Sequence, residues 1–198
     1  MITAVVGSGG KTTLIHKLAN KYRSQNKKVL VITTTHMLIE NDTLVTDDPD
    51  EIIARLNETG YVMAGTKATD EKITALSADT YMKICNEADE VLIEADGSKH
   101  MPLKFPNETE PVIPVNTDKI IVVTNLCALN HKAVEVVHRL TLATQSLGIG
   151  EDTIITPLII QKHRRNLFRN PLCPPVTCVR GFNPGTSHRS SFGWIKKI

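Results

Sequence analysis

The stretch VVGSGGKTTL, residues 5–14, decides how this chain is read. It leaves an apolar run and enters a helical pattern through glycines and a lysine. The common phosphate-binding loop is spaced G-x-x-x-x-G-K-[ST], yet counting back from Gly10-Lys11-Thr12 puts Val5 where the first glycine would stand. The spacing here is G-x-x-G-K-T-T. A phosphate needs several N–H donors converging on it, and only a backbone nearly free of Cβ atoms wraps that closely. Gly7, Gly9 and Gly10, with the small Ser8 among them, supply such a turn. The helix start that follows directs its unpaired N–H groups at an anion. Lys11 is expected to pair with the β- and γ-phosphates, Thr12 to present its hydroxyl to Mg²⁺, and Thr13 to add a hydroxyl or amide contact. The competing reading is a glycine-rich turn with Lys11 solvated. The strand before it and the amphipathic helix after it favour the phosphate site.

Working outward, strand and helix signals alternate to about residue 160. Ile2–Val6, Val29–Thr34, Val91–Glu94 and Lys119–Thr124 are short apolar runs of the kind that make buried parallel strands. Leu14, Ile15, Leu18, Ala19 and Tyr22 share one helical face. Asp48-Pro49-Asp50-Glu51 opens a helix with an Asp cap and a proline at its first position, and Gly60 closes it. Ser77–Ala88 reads as a helix, as does the stretch through Ala133, Val137, Leu140, Ala143 and Leu147, which Gly148 ends. Residues 61–76 have room for a further strand pair. Thr153–Ile160 reads as a strand interrupted at Pro157. The expected fold is α/β, a mostly parallel wound sheet.

In such sheets the ligand lies beyond the carboxyl ends of the strands. One strand ends in Thr33-Thr34-Thr35-His36 and another in Glu94-Ala95-Asp96-Gly97. An apolar strand finishing in a carboxylate is where Mg²⁺ or its water shell is held, so Glu94 and Asp96 are expected at the metal with Thr12. Thr34 is expected against the nucleotide, with Thr35 and His36 lining the site and His36 a candidate base or ligand. The proline-rich stretch Gly97–Asp118 is longer than an ordinary connection and reads as a substrate lid, with Lys99, His100 and Lys104 offering charge to an anion. Thr124-Asn125-Leu126-Cys127-Ala128 lacks the N-K-x-D pattern that reads guanine, which favours ATP. Cys85 and Cys127 read as packed thiols.

The net charge of +2 hides a break: residues 1–152 hold all 21 acids against 15 of the 23 bases. Everything charged after Asp152 is basic, and Trp194 with Phe168, Phe182 and Phe192 lies there too. The expected division is a nucleotide-binding domain over 1–160 and an atypical basic tail over 161–198. Three readings of the tail stand open: a reading-frame accident, a basic arm for nucleic acid, and half a metal site at Cys173 and Cys178. The composition break favours the first, and no nucleic-acid partner is expected. Apolar runs fall far short of the ~18–20 residues of a membrane span. With scattered cysteines and no export signal, a reducing cytoplasm is expected.

VVGSGGKTTLIHKLA, KVLVITTTHM, VLIEADGSKHMPLKFPNETEPVIP and, more loosely, VEVVHRL resemble the YqeC-type accessory proteins of selenium-dependent molybdenum hydroxylases. The resemblance covers about residues 2–140. It implies a P-loop NTPase-like, three-layer α/β/α fold that binds a nucleotide. It also implies a part in maturing a molybdenum hydroxylase, with that enzyme or its cofactor-maturation proteins as partner. By motif match it gathers Gly7 to Thr13, Thr34, His36, Glu94, Asp96, Lys99, Lys104 and Glu110 as the candidate site, with His138-Arg139 as a further charge. The short glycine loop also resembles that of Mur-type amide ligases. Three activities follow as alternatives: a Mg²⁺-dependent NTPase or phosphoryl or nucleotidyl transferase, a non-catalytic nucleotide-gated escort, and an ATP-dependent ligase.

Overall fold

The apolar run after Met1 forms strand β1, Ile2–Gly7, and the chain turns through Ser8–Gly10 into helix α1, Lys11–Arg23. The computed structural model describes residues 1–97, 101–167 and 176–178, the last three and 166–167 by backbone alone. The chain divides into two units. The first comprises Met1–Val5, Lys11–Gly97 and Val112–Lys119; the second comprises Val6–Gly10 with the described parts of 98–111 and 120–198.

In the first unit α1 is followed by β2 (Val29–Thr33), β3 (His36–Leu38), β4 (Thr43–Val45), α2 (Pro49–Thr59), β5 (Tyr61–Lys67), β6 (Lys72–Thr74), α3 (Ala78–Ile84) and β7 (Glu90–Glu94). β7 pairs in parallel with β1 on one side and β2 on the other, so Val5 and Thr33 both lie in register with Glu94. β5 continues the parallel sheet beyond β2 and carries β4 in parallel, while β6 and β3 add antiparallel pairings. β2 and β7 are buried along their whole length, which is why they read as unbroken apolar runs rather than alternating ones. Helix α2 starts as its sequence asks: Asp48 Oδ1 accepts from the Asp50 N–H at 2.9 Å, and Gly60 ends it at φ 67°. The short β3 and β4 carry too few residues to show a period.

The second unit holds β8 (Leu103–Lys104), β9 (Lys119–Val123), a single 3₁₀ turn at Leu126–Ala128, α4 (Ala133–Val136), β10 (Val137–His138), α5 (Leu140–Leu147), α6 (Pro157–Leu167) and β11 (Val176–Cys178). β8 pairs in parallel with β10, and β11 with β9. Its core includes Leu103, Phe105, Val137, Ile149, Ile155 and Ile160. Two expectations are corrected here. The helix expected over 133–147 is broken by β10 and by Arg139, which sits at φ 67° and ψ 52° in the left-handed region. The strand expected over Thr153–Ile160 gives way to helix in its second half: the Ile159 N–H donates to Thr156 Oγ1 at 3.4 Å and Pro157 is the first residue of α6. The stretch 97–118, expected as a lid, carries β8 and buries Leu103 and Phe105. α6 runs through residue 160; of the basic tail, 168–175 and 179–198 lie outside the described residues, with Cys173 and the aromatic residues among them.

Candidate functional site

In the first unit, parallel pairing brings the ends of β2 and β7 together, and the first residues of α1 meet them there. Lys11 Nζ lies 3.1 Å from Asp96 Oδ1, with the two side chains only 4% and 6% exposed. Thr12 Oγ1 donates to Glu94 Oε2 at 2.8 Å. The carbonyl of Glu94 accepts from the Thr33 hydroxyl at 2.9 Å and from the Thr34 N–H at 3.1 Å. Lys11, Thr12, Glu94, Asp96 and Thr34 are thus neighbours within one unit. Burial pushes the Glu94 carboxyl above its usual range; Lys11, the Thr12 hydroxyl and His16 pull it down, and Asp96 adds to the rise. A carboxylate held against its own solvation beside a paired lysine is the kind of arrangement that marks working sites.

The other residues near these ends behave differently. Thr34 Oγ1 donates to the Val112 carbonyl at 2.7 Å. The Thr35 hydroxyl is buried without a hydrogen-bond partner. Thr13 and His36 are exposed, His36 on β3 opposite Thr74. One turn beyond Thr12, His16 Nε2 lies 2.9 Å from Glu40 Oε1. That pair stands in a polar cleft of ≈ 330 Å³ along α1, lined also by Asn20, Arg23, Asp42 and Tyr61.

In the second unit the glycine turn is fitted to the end of β9. Gly7, Gly9 and Gly10 have φ of 102°, 70° and 89°, a conformation L side chains rarely adopt. A Cβ on Gly7 would stand 2.1 Å from the Val123 carbonyl oxygen, and one on Gly9 2.4 Å from Asn125 Nδ2. Nothing lies within 4 Å of the corresponding point on Gly10. The Ser8 N–H donates to Val123 O at 3.0 Å, and its hydroxyl to Pro102 O at 2.7 Å. Thr124 is 3% exposed and its hydroxyl has no hydrogen-bond partner.

A second grouping in this unit takes up Lys104, Glu110 and Arg139. Glu110 Oε2 lies 2.7 Å from Lys104 Nζ and 2.6 Å from Arg139 Nη2. Arg139 Nη1 also donates to the Phe105 carbonyl at 3.1 Å. Burial alone would raise the Glu110 carboxyl, but Lys104 and Arg139 outweigh it and hold it below the usual range. Lys104, expected to face a substrate, is 2% exposed with its ammonium on Glu110. The imidazole of His163 packs on Phe105, 4.6 Å between centroids, with Nε2 2.7 Å from the Lys104 carbonyl oxygen. Burial lowers its pKa, which keeps the ring neutral. Lys99 and His100 lie outside the described residues.

Thr124, Asn125 and His163 were not singled out from sequence. The rule that found Glu94, polar residues ending an apolar strand, points equally to Thr124-Asn125. His163 carries no such signal. Among the described residues no three His, Cys, Asp or Glu side chains cluster as a metal site, and no helix is long and apolar enough to cross a membrane.

A family model described as "YqeC protein" matches residues 3–141. A protein of Escherichia coli (strain K12) described as "Uncharacterized protein YqeC" is 31% identical over 180 residues, spanning 85% of this chain and 70% of that protein. No solved structure matches.

Proposed function

The chain belongs to the YqeC family, and from that premise we propose a nucleotide-binding accessory protein with a P-loop NTPase-like, three-layer α/β/α fold. It takes ATP with Mg²⁺ and serves the maturation of a selenium-dependent molybdenum hydroxylase, with that enzyme or its maturation proteins as partner. One observation carries the nucleotide reading: the lysine and threonine of G-G-K-T lie on the acids ending β7, Lys11 on Asp96 and Thr12 on Glu94. A solvated turn would leave that lysine in water.

The donors fit the ions proposed. Thr12, Glu94 and Asp96 offer hard oxygens, which suit Mg²⁺, an ion that keeps several waters and needs only one or two carboxylates. When bound, Mg²⁺ supplies charge neutralisation at the phosphates. Gly7–Thr13, continuous in the chain, hold the phosphates through backbone amides, and Lys11 adds the positive charge. Thr34 borders this site. Catalysis as an NTPase or as a phosphoryl or nucleotidyl transferase then rests on positioning and electrostatics.

Calorimetric titration of the full chain with ATP, GTP and CTP, with and without Mg²⁺, tests the reading. ATP with Mg²⁺ binds most tightly, and Lys11→Ala loses at least about tenfold in affinity, since charge-assisted hydrogen bonds are worth ~1.5–3 kcal/mol each. Equal affinity in the variant defeats the proposal. The gated-escort alternative has its own support, because the Ser8 hydroxyl ties the glycine turn to Pro102. Phosphate release, measured alone and with a partner hydroxylase, separates turnover from gating.

A further inference from the structure

The glycine turn ends short of the common loop, and one of its amides is already committed: the Ser8 N–H donates to Val123 O at 3.0 Å. A donor from elsewhere would therefore strengthen any anion site built on it. The neighbour in place is Asn125. Its Oδ1 accepts from the Cys127 N–H at 2.9 Å, capping the 3₁₀ turn. That bond settles which way the amide faces, since an N–H cannot be accepted by the NH₂ group. The NH₂ end is accordingly the part of Asn125 closest to Gly9, 2.4 Å from where a Cβ would stand. No described residue accepts a hydrogen bond from it. Beside it Thr124 keeps a hydroxyl out of water, 3% exposed and without a partner. A buried hydroxyl left unsatisfied is costly, and beside it the partly exposed Asn125 NH₂ group is open to a further acceptor.

We infer that Asn125 is a phosphate-binding residue: its Nδ2 donates to an oligophosphate oxygen held in the Gly7–Gly10 turn, with the Thr124 hydroxyl as a neighbouring donor. The inference rests on the nucleotide reading above and adds to it a residue from the end of β9. It also gives Gly9 a specific reason: a side chain there would displace the amide that serves the anion.

Asn125→Asp is the informative change. The aspartate keeps the shape and the acceptor that caps Cys127, loses the donor, and sets a negative charge beside the phosphates. Asn125→Ser removes the amide donor without adding charge, and its shorter side chain keeps a capping hydroxyl. Calorimetry on the full chain uses two probes, ATP with Mg²⁺ and inorganic tripolyphosphate with Mg²⁺. Asn125→Asp is expected to weaken both by more than about tenfold, and Asn125→Ser both by roughly three- to tenfold, with the thermal midpoint unchanged. Wild-type affinity in Asn125→Ser overturns the inference. So does a loss confined to ATP, which would make Asn125 a reader of the base or ribose. Should Asn125→Asp fail to fold, Asn125→Ser decides by the same criteria. If the unaltered chain binds neither probe, the nucleotide reading itself fails; if it binds both and Asn125→Ser equals it, only Asn125 is misassigned.

Discussion

Glu94 and Glu110 are each partly or wholly withdrawn from water, each near a buried lysine, and they end in opposite electrostatic states. In the first unit Glu94 is 8% exposed and takes a hydrogen bond from a hydroxyl, while the lysine at hand sits on Asp96. Its carboxyl is pushed up by burial. In the second unit Glu110 is gripped directly by Lys104 and Arg139 and its carboxyl is pulled down. A carboxylate saturated by two cations has no reason to change partners and acts as a staple. One that takes a hydroxyl's hydrogen bond at a strand end, with the lysine on its neighbour, is not neutralised in this way. The same residue types thus divide into structure and prospective function by which partner each carboxylate is given.

The largest effect that would break this contrast lies in the second unit. Glu110→Ala strips Lys104 and Arg139 of the carboxylate they share; removing one partner of a fully buried pair costs roughly 3–5 kcal/mol, and the partial exposure of Glu110 trims this to about 2–4 kcal/mol. Urea unfolding should show that loss; a change under about 1 kcal/mol would mean the cluster is no staple. The pH dependence has a definite sign. Because the folded Glu110 carboxyl lies below its ordinary value, its stabilisation is complete above about pH 4.3 and lost as pH falls through the folded value. His163, held neutral by burial, adds an earlier loss as pH falls below about 6.5.

Gly9→Ala should cost less. A left-handed L residue is strained by about 1–2 kcal/mol, and the new methyl meets the Asn125 side chain. Thermal melts should report a moderate fall, with a much larger loss of nucleotide affinity by calorimetry. A variant that binds as well as the parent would remove the turn from the site.

The smallest expected stability change sharpens the comparison from the other side. Glu94→Gln keeps an oxygen for the Thr12 hydroxyl and removes a charge that burial disfavours, so at neutral pH stability holds or rises by under about 1 kcal/mol. For a raised carboxyl the folded state holds its proton longer, so its contribution falls as pH climbs from about 4.3 through the folded value. Glu94→Gln should flatten that segment of the stability curve while abolishing Mg²⁺-dependent binding. A loss of several kcal/mol would instead make Glu94 a second staple.

Buried parallel strands were legible because sheet burial on both faces writes continuous apolar runs, and β1, β2, β7 and β9 all do so. Helix α2 was legible from its caps, Asp48 and Gly60. Thr153–Ile160 misled because Ile154, Ile155, Ile159 and Ile160 mimic a β-branched run; the signal that outweighs them is Thr156-Pro157, a cap followed by a proline at the first helical position. Nothing local announces that Arg139 turns left-handed, since the guanidinium holding it there reaches Glu110 and the Phe105 carbonyl, far away in sequence. At the candidate site, spacing was enough to single out Lys11, Thr12, Glu94 and Asp96, which the fold brings together. It could not tell that Lys104 points inward, because its partner Glu110 and the second cation arrive only through folding.

The contact between Lys11 and Asp96 has one more consequence. An ammonium already docked on an aspartate must be prised off before it can serve an incoming anion, so what is gained is the difference between two ion pairs in the same sheltered spot. A bare anion that captures Lys11 leaves Asp96 without its lysine. An anion arriving with its own divalent ion offers Asp96 a substitute at the same moment. The aspartate just beyond β7 would thereby sort visitors, turning away stray sulfate or phosphate and admitting those that come already carrying a metal.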